Sequence, residues 1–306
     1  MAQALLLKIA SLFLIMFGSF LITKLHILRS EDSRVISLLM LYMVYPCNII
    51  SAFQIDSSPE LRSGLLLAFM AGGIIQMGFI ALNVLFRKPL HLSPVEQTSV
   101  IYSNSGNLII PLVTALIGPE WVVYTCAYIS IQVVLFWTHC KTLISGDKHA
   151  DLKKILLNVN MLSIFIGILL FAFDIKLPSF VYGAMNDASA MTGPMAMLVI
   201  GVLLAGMDIK SIFCRRRVWL VAALRLIVLP LLCVAFLRFS GIGSGIADSE
   251  TILLITLLAA ASPTASMITQ MEQIYGREVE YACSINIVTT LLCILTMPLT
   301  VILYQL

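Results

Sequence analysis

Apolar residues run along this chain in long blocks, without the period of 2 or 3.6 that marks a half-buried strand or a surface helix. A block of about 20 apolar residues is long enough to cross hydrocarbon as a helix. Ten such blocks are predicted, at 3–23, 34–54, 63–86, 97–118, 121–140, 157–174, 185–208, 217–239, 250–273 and 281–304. The sixth is the shortest and ends at Asp174. Lys8 interrupts the first apolar run, which continues to about Ile22 and reads as a span and not as a signal peptide.

Two of the blocks are interrupted by helix breakers set among small polar side chains. The fourth holds Asn104, Ser105, Gly106 and Asn107 ahead of Pro111, and the ninth holds Ser262, Pro263, Thr264 and Ser266. Gly106 weakens a helix, and Pro263 removes a backbone donor and clashes with the preceding turn. Unwound backbone inside hydrocarbon is tolerated only where protein encloses it or it lines a wet cavity. A matched pair of interruptions therefore predicts a polar cavity near the midplane. One such kink alone is as readily explained by close helix packing.

Composition agrees with the block pattern. The 306 residues are 60% apolar and 11% charged, against roughly 25% charged in soluble domains. The distribution of charge says more than the net +3. Odd-numbered loops carry Lys24, Arg29, Arg34, Arg87, Lys88, Lys141, Lys148, Lys153, Lys154, Lys210, Arg215, Arg216, Arg217 and Arg277, whereas even-numbered loops carry only Arg62, Lys176 and Arg238. By the positive-inside rule the odd loops are cytoplasmic and both termini face outward, in the cell membrane. The run Arg215–Arg217 reads as a topology anchor, and no nucleic-acid partner is expected. Seven cysteines without a CxxC pair and four histidines at span ends form no metal signature, and no cofactor is expected.

The chain divides into residues 1–146 and 147–306, five spans each. Pro46 and Pro194 stand 148 residues apart (46 to 194), and Gly106 and Pro263 stand 157 apart (106 to 263), which supports an internal repeat. An odd number of spans per repeat inverts the second copy, the common plan of secondary transporters. The predicted fold is thus all-α and polytopic: ten helices in a five-plus-five inverted repeat with broken helices four and nine. With the loop charges fixing direction, the N-termini of the two second half-helices, near Asn107 and Thr264, converge. Each brings unpaired N–H groups and about half a positive charge, which makes an anion site without a cation. Pro111 falls in the first turn of its half-helix, where a missing N–H is harmless.

Other polar residues inside spans have two readings each. Arg225 pairs with a substrate carboxylate, or it snorkels or joins a structural ion pair. Asp187 is a helix-end charge or a coupling carboxylate. Asn48, Gln132 and Asn286 line the cavity or bond between helices. Glu272, at the end of the ninth span, is expected to be solvated.

The blocks around these residues resemble the auxin efflux carrier family, within the bile, arsenite and riboflavin transporter superfamily. The resemblance rests on the Pro46-centred stretch Leu41–Phe53, on Asn104, Gly106 and Pro111, and on Ser262-Pro263-Thr264 followed by Tyr275 and Pro298. It implies ten spans, a crossover of spans four and nine, transport of organic anions such as dicarboxylates or indole-acetate, and a homodimer. Ile109 stands where the family often has glycine, and the long central loop of the plant exporters is missing, as in a small bacterial-type permease.

These readings converge on a carrier for a small organic anion working by alternating access, the five-span halves supplying a scaffold and a moving bundle. H+ and Na+ are candidate coupling ions, though membrane potential alone favours anion exit. A channel or ligand sensor on the same fold is the alternative. A membrane-embedded enzyme is disfavoured, because Ser105 and Ser262 have no histidine in any span to activate them.

Overall fold

Long apolar blocks hold together in hydrocarbon only if every backbone group is bonded within the segment, and helices meet that demand. In the computed structural model, which describes residues 2–54, 59–110, 112–113, 117–118, 121–146, 157, 159–206 and 209–306, each expected span contains one helix or two in series. They are α1 (Ala2–Lys24), α2 (Ser30–Ser51), α3 (Pro59–Arg87), α4 (Pro94–Ile101), α5 (Ser105–Ile109), α6 (Val122–Ser145), α7 (Val159–Ala172), α8 (Ser179–Ala205), α9 (Arg216–Phe239), α10 (Ser249–Ala261), α11 (Ser266–Tyr275) and α12 (Val279–Gln305). Among the described residues α2, α3, α6, α8, α9 and α12 are long and apolar enough to cross a membrane. The proposed boundary between halves near residue 147 and Pro111 lie outside the described residues.

The helices sort into two groups by packing. In one, α1 lies along α8, and α2 packs on α7 and α8. In the other, α3 packs on α6 and α10, and α12 packs on α9 and α11. Each group takes helices from both halves of the chain. Neither group therefore coincides with a five-span half of the chain. Gly201 sets the closest approach in the first group. A Cβ there would stand 2.1 Å from the Met16 carbonyl oxygen and 2.0 Å from Ser19 Oγ, so only glycine lets α8 lie this near α1.

A seam of amides joins the groups. From α11, Gln270 accepts from the Tyr45 hydroxyl at 2.8 Å, and Gln273 accepts from Ser37 at 2.8 Å and donates to Ser33. Glu272 between them is 2% exposed and accepts from the Glu278 amide, so the expectation that it is solvated fails. The turn to Gly276 (φ 64°) folds the next loop back over it.

Loops expected on one side meet one another. Arg217 donates to the Leu90 and His91 carbonyls, and Arg277 donates to Ser145. At the other end Gln54 bonds Ile175 and Leu177, and Arg238 bonds Leu303. The strongest tie starts from a capping box at α4. Ser93 accepts from the Glu96 amide, the Glu96 carboxylate accepts from Ser93 N, and Pro94 sits in the first turn. Glu96 is 1% exposed and also accepts from Arg217 in a bidentate pair and from the Tyr281 hydroxyl at 2.6 Å. Arg215 lies over the Tyr281 ring. Two of the three arginines read as a topology anchor, Arg215 and Arg217, also take part in a junction of α4, α9 and α12.

Removing Arg217 strands the Glu96 carboxylate. Breaking a buried pair costs about 3–5 kcal/mol, and the partly exposed guanidinium reduces that to about 2 kcal/mol. Arg217→Ala is expected to lower the melting temperature in detergent by several degrees, and Arg216→Ala to leave it within about one degree. Equal melting of both variants would mean the junction contributes nothing.

Candidate functional site: a cavity at two helix breaks

The two breaks form differently. In the ninth block the residue before proline is forced extended, and Ser262 has φ −66° and ψ 160°. Helix resumes at Ser266 after Ala265, also extended. In the fourth block the unwound residues are Tyr102–Asn104, not Gly106 as expected. Tyr102 is extended (φ −99°, ψ 128°), and Gly106 already lies in the first turn of α5. No proline causes this break. Tyr102 is held instead by tertiary bonds from its buried hydroxyl to Leu135 O at 3.0 Å and His139 Nδ1 at 2.9 Å, with Phe136 edge-on to its ring.

The unwound segments pair antiparallel through a Ser103–Thr264 bridge, the only β-type pairing among the described residues. Asn104 N donates to Pro263 O at 2.7 Å, and Ala265 N donates to Tyr102 O at 3.0 Å. These bonds satisfy backbone groups that both helices had to abandon. The chain therefore crosses itself at Ser103 and Thr264.

Helix ends on the far side of the crossing are closed by side chains. Arg225, fully buried on a wide turn of α9, donates to Ser262 O at 3.0 Å, Ala260 O at 2.5 Å, Val100 O at 3.1 Å and Ile101 O at 3.5 Å. Gln76 donates to Ile101 O, and Thr264 Oγ1 donates to Ser99 O. Asn286 donates to Thr264 O at 3.0 Å, and Thr289 accepts from Thr264 N. Arg225 neither snorkels nor faces the cavity.

On the near side the helix N-termini of α5 and α11 open into a cavity of about 80 Å³. Neither Asn104 nor Ala265, the residues before the two helices, provides a side-chain cap. Its polar lining comes from Ser103, Asn104, Ser105 and Gln132 of one group and Tyr45, Asn48 and Thr192 of the other, with Ser266 beside them. Gln132 orders this wall: it accepts from Ser105 Oγ at 2.8 Å and donates to Ser103 Oγ at 2.9 Å. A Cβ on Gly106 would meet only Ile129 Cδ1, at 3.9 Å, so glycine keeps the α5 backbone open to the cavity. None of the described lining residues is charged.

Pro46 and Pro194, the pair that suggested a repeat, stand next in the chain to the cavity residues Tyr45 and Thr192 or within two residues of them. Pro46 follows the wide turn Met40–Val44 of α2, and Pro194 follows a bend at Met191 in α8. Asn48 donates to Thr192 Oγ1 at 3.3 Å and joins the two bends.

Of the residues expected at the site, Asn48, Asn104, Ser105, Gly106, Gln132 and Ser266 line the cavity. Ser262, Pro263, Thr264 and Asn286 do not; they build the crossing behind it. Asp187 is exposed on α8 and stands apart from the cavity. The side chain of Asn107 lies outside the described residues. Tyr45, Ser103 and Thr192 were missed. Their signals are weak: each is a hydroxyl within two residues of a residue already noted, namely Pro46, Asn104 or Pro194. Among the described residues no group of His, Cys, Asp or Glu is arranged to hold a metal.

A crossing of broken helices with an uncharged polar cavity is the architecture of a transporter. Comparison with the curated proteins finds no match. A family model described as a membrane transport protein matches residues 4–154 and again residues 148–301, together nearly the whole chain. The chain belongs to the membrane transport protein family, which includes the auxin efflux carriers, and is a multi-pass membrane transporter.

Proposed function

We propose that this chain carries a small organic anion across the cell membrane by alternating access, most favourably outward. The observation that carries the reading is a cavity, uncharged among its described lining residues, at which the N-terminal ends of two helices meet. Peptide dipoles there favour negative charge. The lining hydroxyls and amides offer donors to a carboxylate, and the absence of a fixed cation in the lining lets the anion leave again. The small volume suits a short carboxylate in this conformation.

In this reading the chain crosses the membrane ten times, α4 with α5 and α10 with α11 each making one broken span. The two repeats are inverted, and the two family matches divide near residue 150, where the repeats would join. The group of α1, α2, α7 and α8 is the scaffold and would carry a homodimer interface. The other group moves against it along the Gln270 and Gln273 seam. Membrane potential acts on each transported charge with about 2.3 kcal/mol per 100 mV, enough to drive anion export unaided.

Labelled-malate counterflow in proteoliposomes tests the site. Gln132→Ala removes the residue that orders Ser103 and Ser105, and Asn48→Ala removes the link between the bends. A hydrogen bond to a charged group is worth about 1.5–3 kcal/mol, so each variant is expected to lower flux at limiting malate by about 10- to 100-fold. Wild-type flux in both would remove the anion from this cavity. Orientation is tested separately: alkaline phosphatase fused after Leu306 is expected to be active in cells, and after Gly146 inactive. The reverse pattern would invert the topology.

A further inference from the structure

Arg225 is a buried cation whose partners are almost all backbone. Among the described residues no carboxylate pairs with it. Its counter-charge is the paired C-termini of α4 and α10, whose terminal carbonyls of Val100, Ile101, Ala260 and Ser262 it binds. Each helix C-terminus is worth about half a negative charge, so two together balance one guanidinium. The Phe79 ring closes the site, with its centroid 5.5 Å from the guanidinium carbon.

A cluster of carbonyl oxygens at the C-terminal ends of broken helices is also the chemistry by which transporters of this architecture hold a coupling Na+. Here the remaining oxygens are taken as well, Ile101 O by Gln76 and Ser99 O by Thr264. We propose that Arg225 is a tethered replacement for a coupling cation. Its guanidinium holds the crossover together in every step of the cycle, so the carrier moves its anion without a monovalent metal ion. This deepens the carrier reading above and rests on it. A corollary concerns the site itself: removal of the guanidinium exposes an oxygen-lined cavity able to take Na+ or free guanidinium.

The test uses purified full-length protein at constant ionic strength, with NaCl, KCl, choline chloride or a few millimolar guanidinium chloride. Wild-type melting temperature and malate counterflow are expected to be the same in sodium and choline. Arg225→Ala is expected to melt several degrees lower in choline and to regain at least half of that loss in sodium or guanidinium. Arg225→Lys, which keeps a tethered charge, is expected to remain insensitive to the cation. Sodium-dependent melting or flux of the wild type overturns the proposal, whether or not the alanine variant folds. So does an alanine variant whose melting no cation changes. If malate counterflow fails in every protein while the melting pattern holds, the carrier reading fails, and with it the claim of cation-free transport; the melting pattern then shows only that Arg225 fills a cation site.

Discussion

Two helices break inside an apolar bundle, and each break leaves carbonyls and amides with no partner along the chain. An unpaired buried polar group costs about 1–3 kcal/mol, and more in hydrocarbon. The fold is arranged around removing that cost. Ser103 and Thr264 pair backbone to backbone, and Arg225 with Gln76 closes the carbonyl ends. The N-terminal ends of α5 and α11 face the cavity. The crossing is thus two-sided: its carbonyl ends meet Arg225, and its N-terminal ends meet the cavity.

Everything else positions this crossing. Gln132 and Asn286, on α6 and α12, occupy corresponding places behind the two breaks, but they act differently. Gln132 bonds the side chains of Ser103 and Ser105 and reaches the cavity; Asn286 bonds the Thr264 carbonyl and does not. The Glu96, Arg217 and Tyr281 junction keeps the start of α4 in register with α9, the helix that delivers Arg225. A shift of α4 there would be felt at its other end, where Val100 and Ile101 meet the guanidinium.

Legibility in the sequence followed the range of the physical cause. Pro263 breaks a helix locally, so its break stands where the proline stands. The other break was placed at Gly106, yet the chain unwinds at Tyr102–Asn104, because the cause is the anchoring of Tyr102 to Leu135 and His139, more than thirty residues away in sequence. Glycine proved to be a window onto the cavity and not the hinge. Arg225 was visible as an anomaly, a charge within an apolar block, but its partners are backbone carbonyls, which carry no signature in side-chain sequence.

Block length, loop charge and breaker position are properties of short stretches. From them the sequence alone determined an all-helical membrane protein and the two blocks that break. Which small polar residues face the cavity and which build the wall behind it was decided by tertiary structure. Ser105 and Ser262 are alike in sequence context, and only the way the crossing turns its amide ends inward and its carbonyl ends toward Arg225 separates a lining residue from a supporting one.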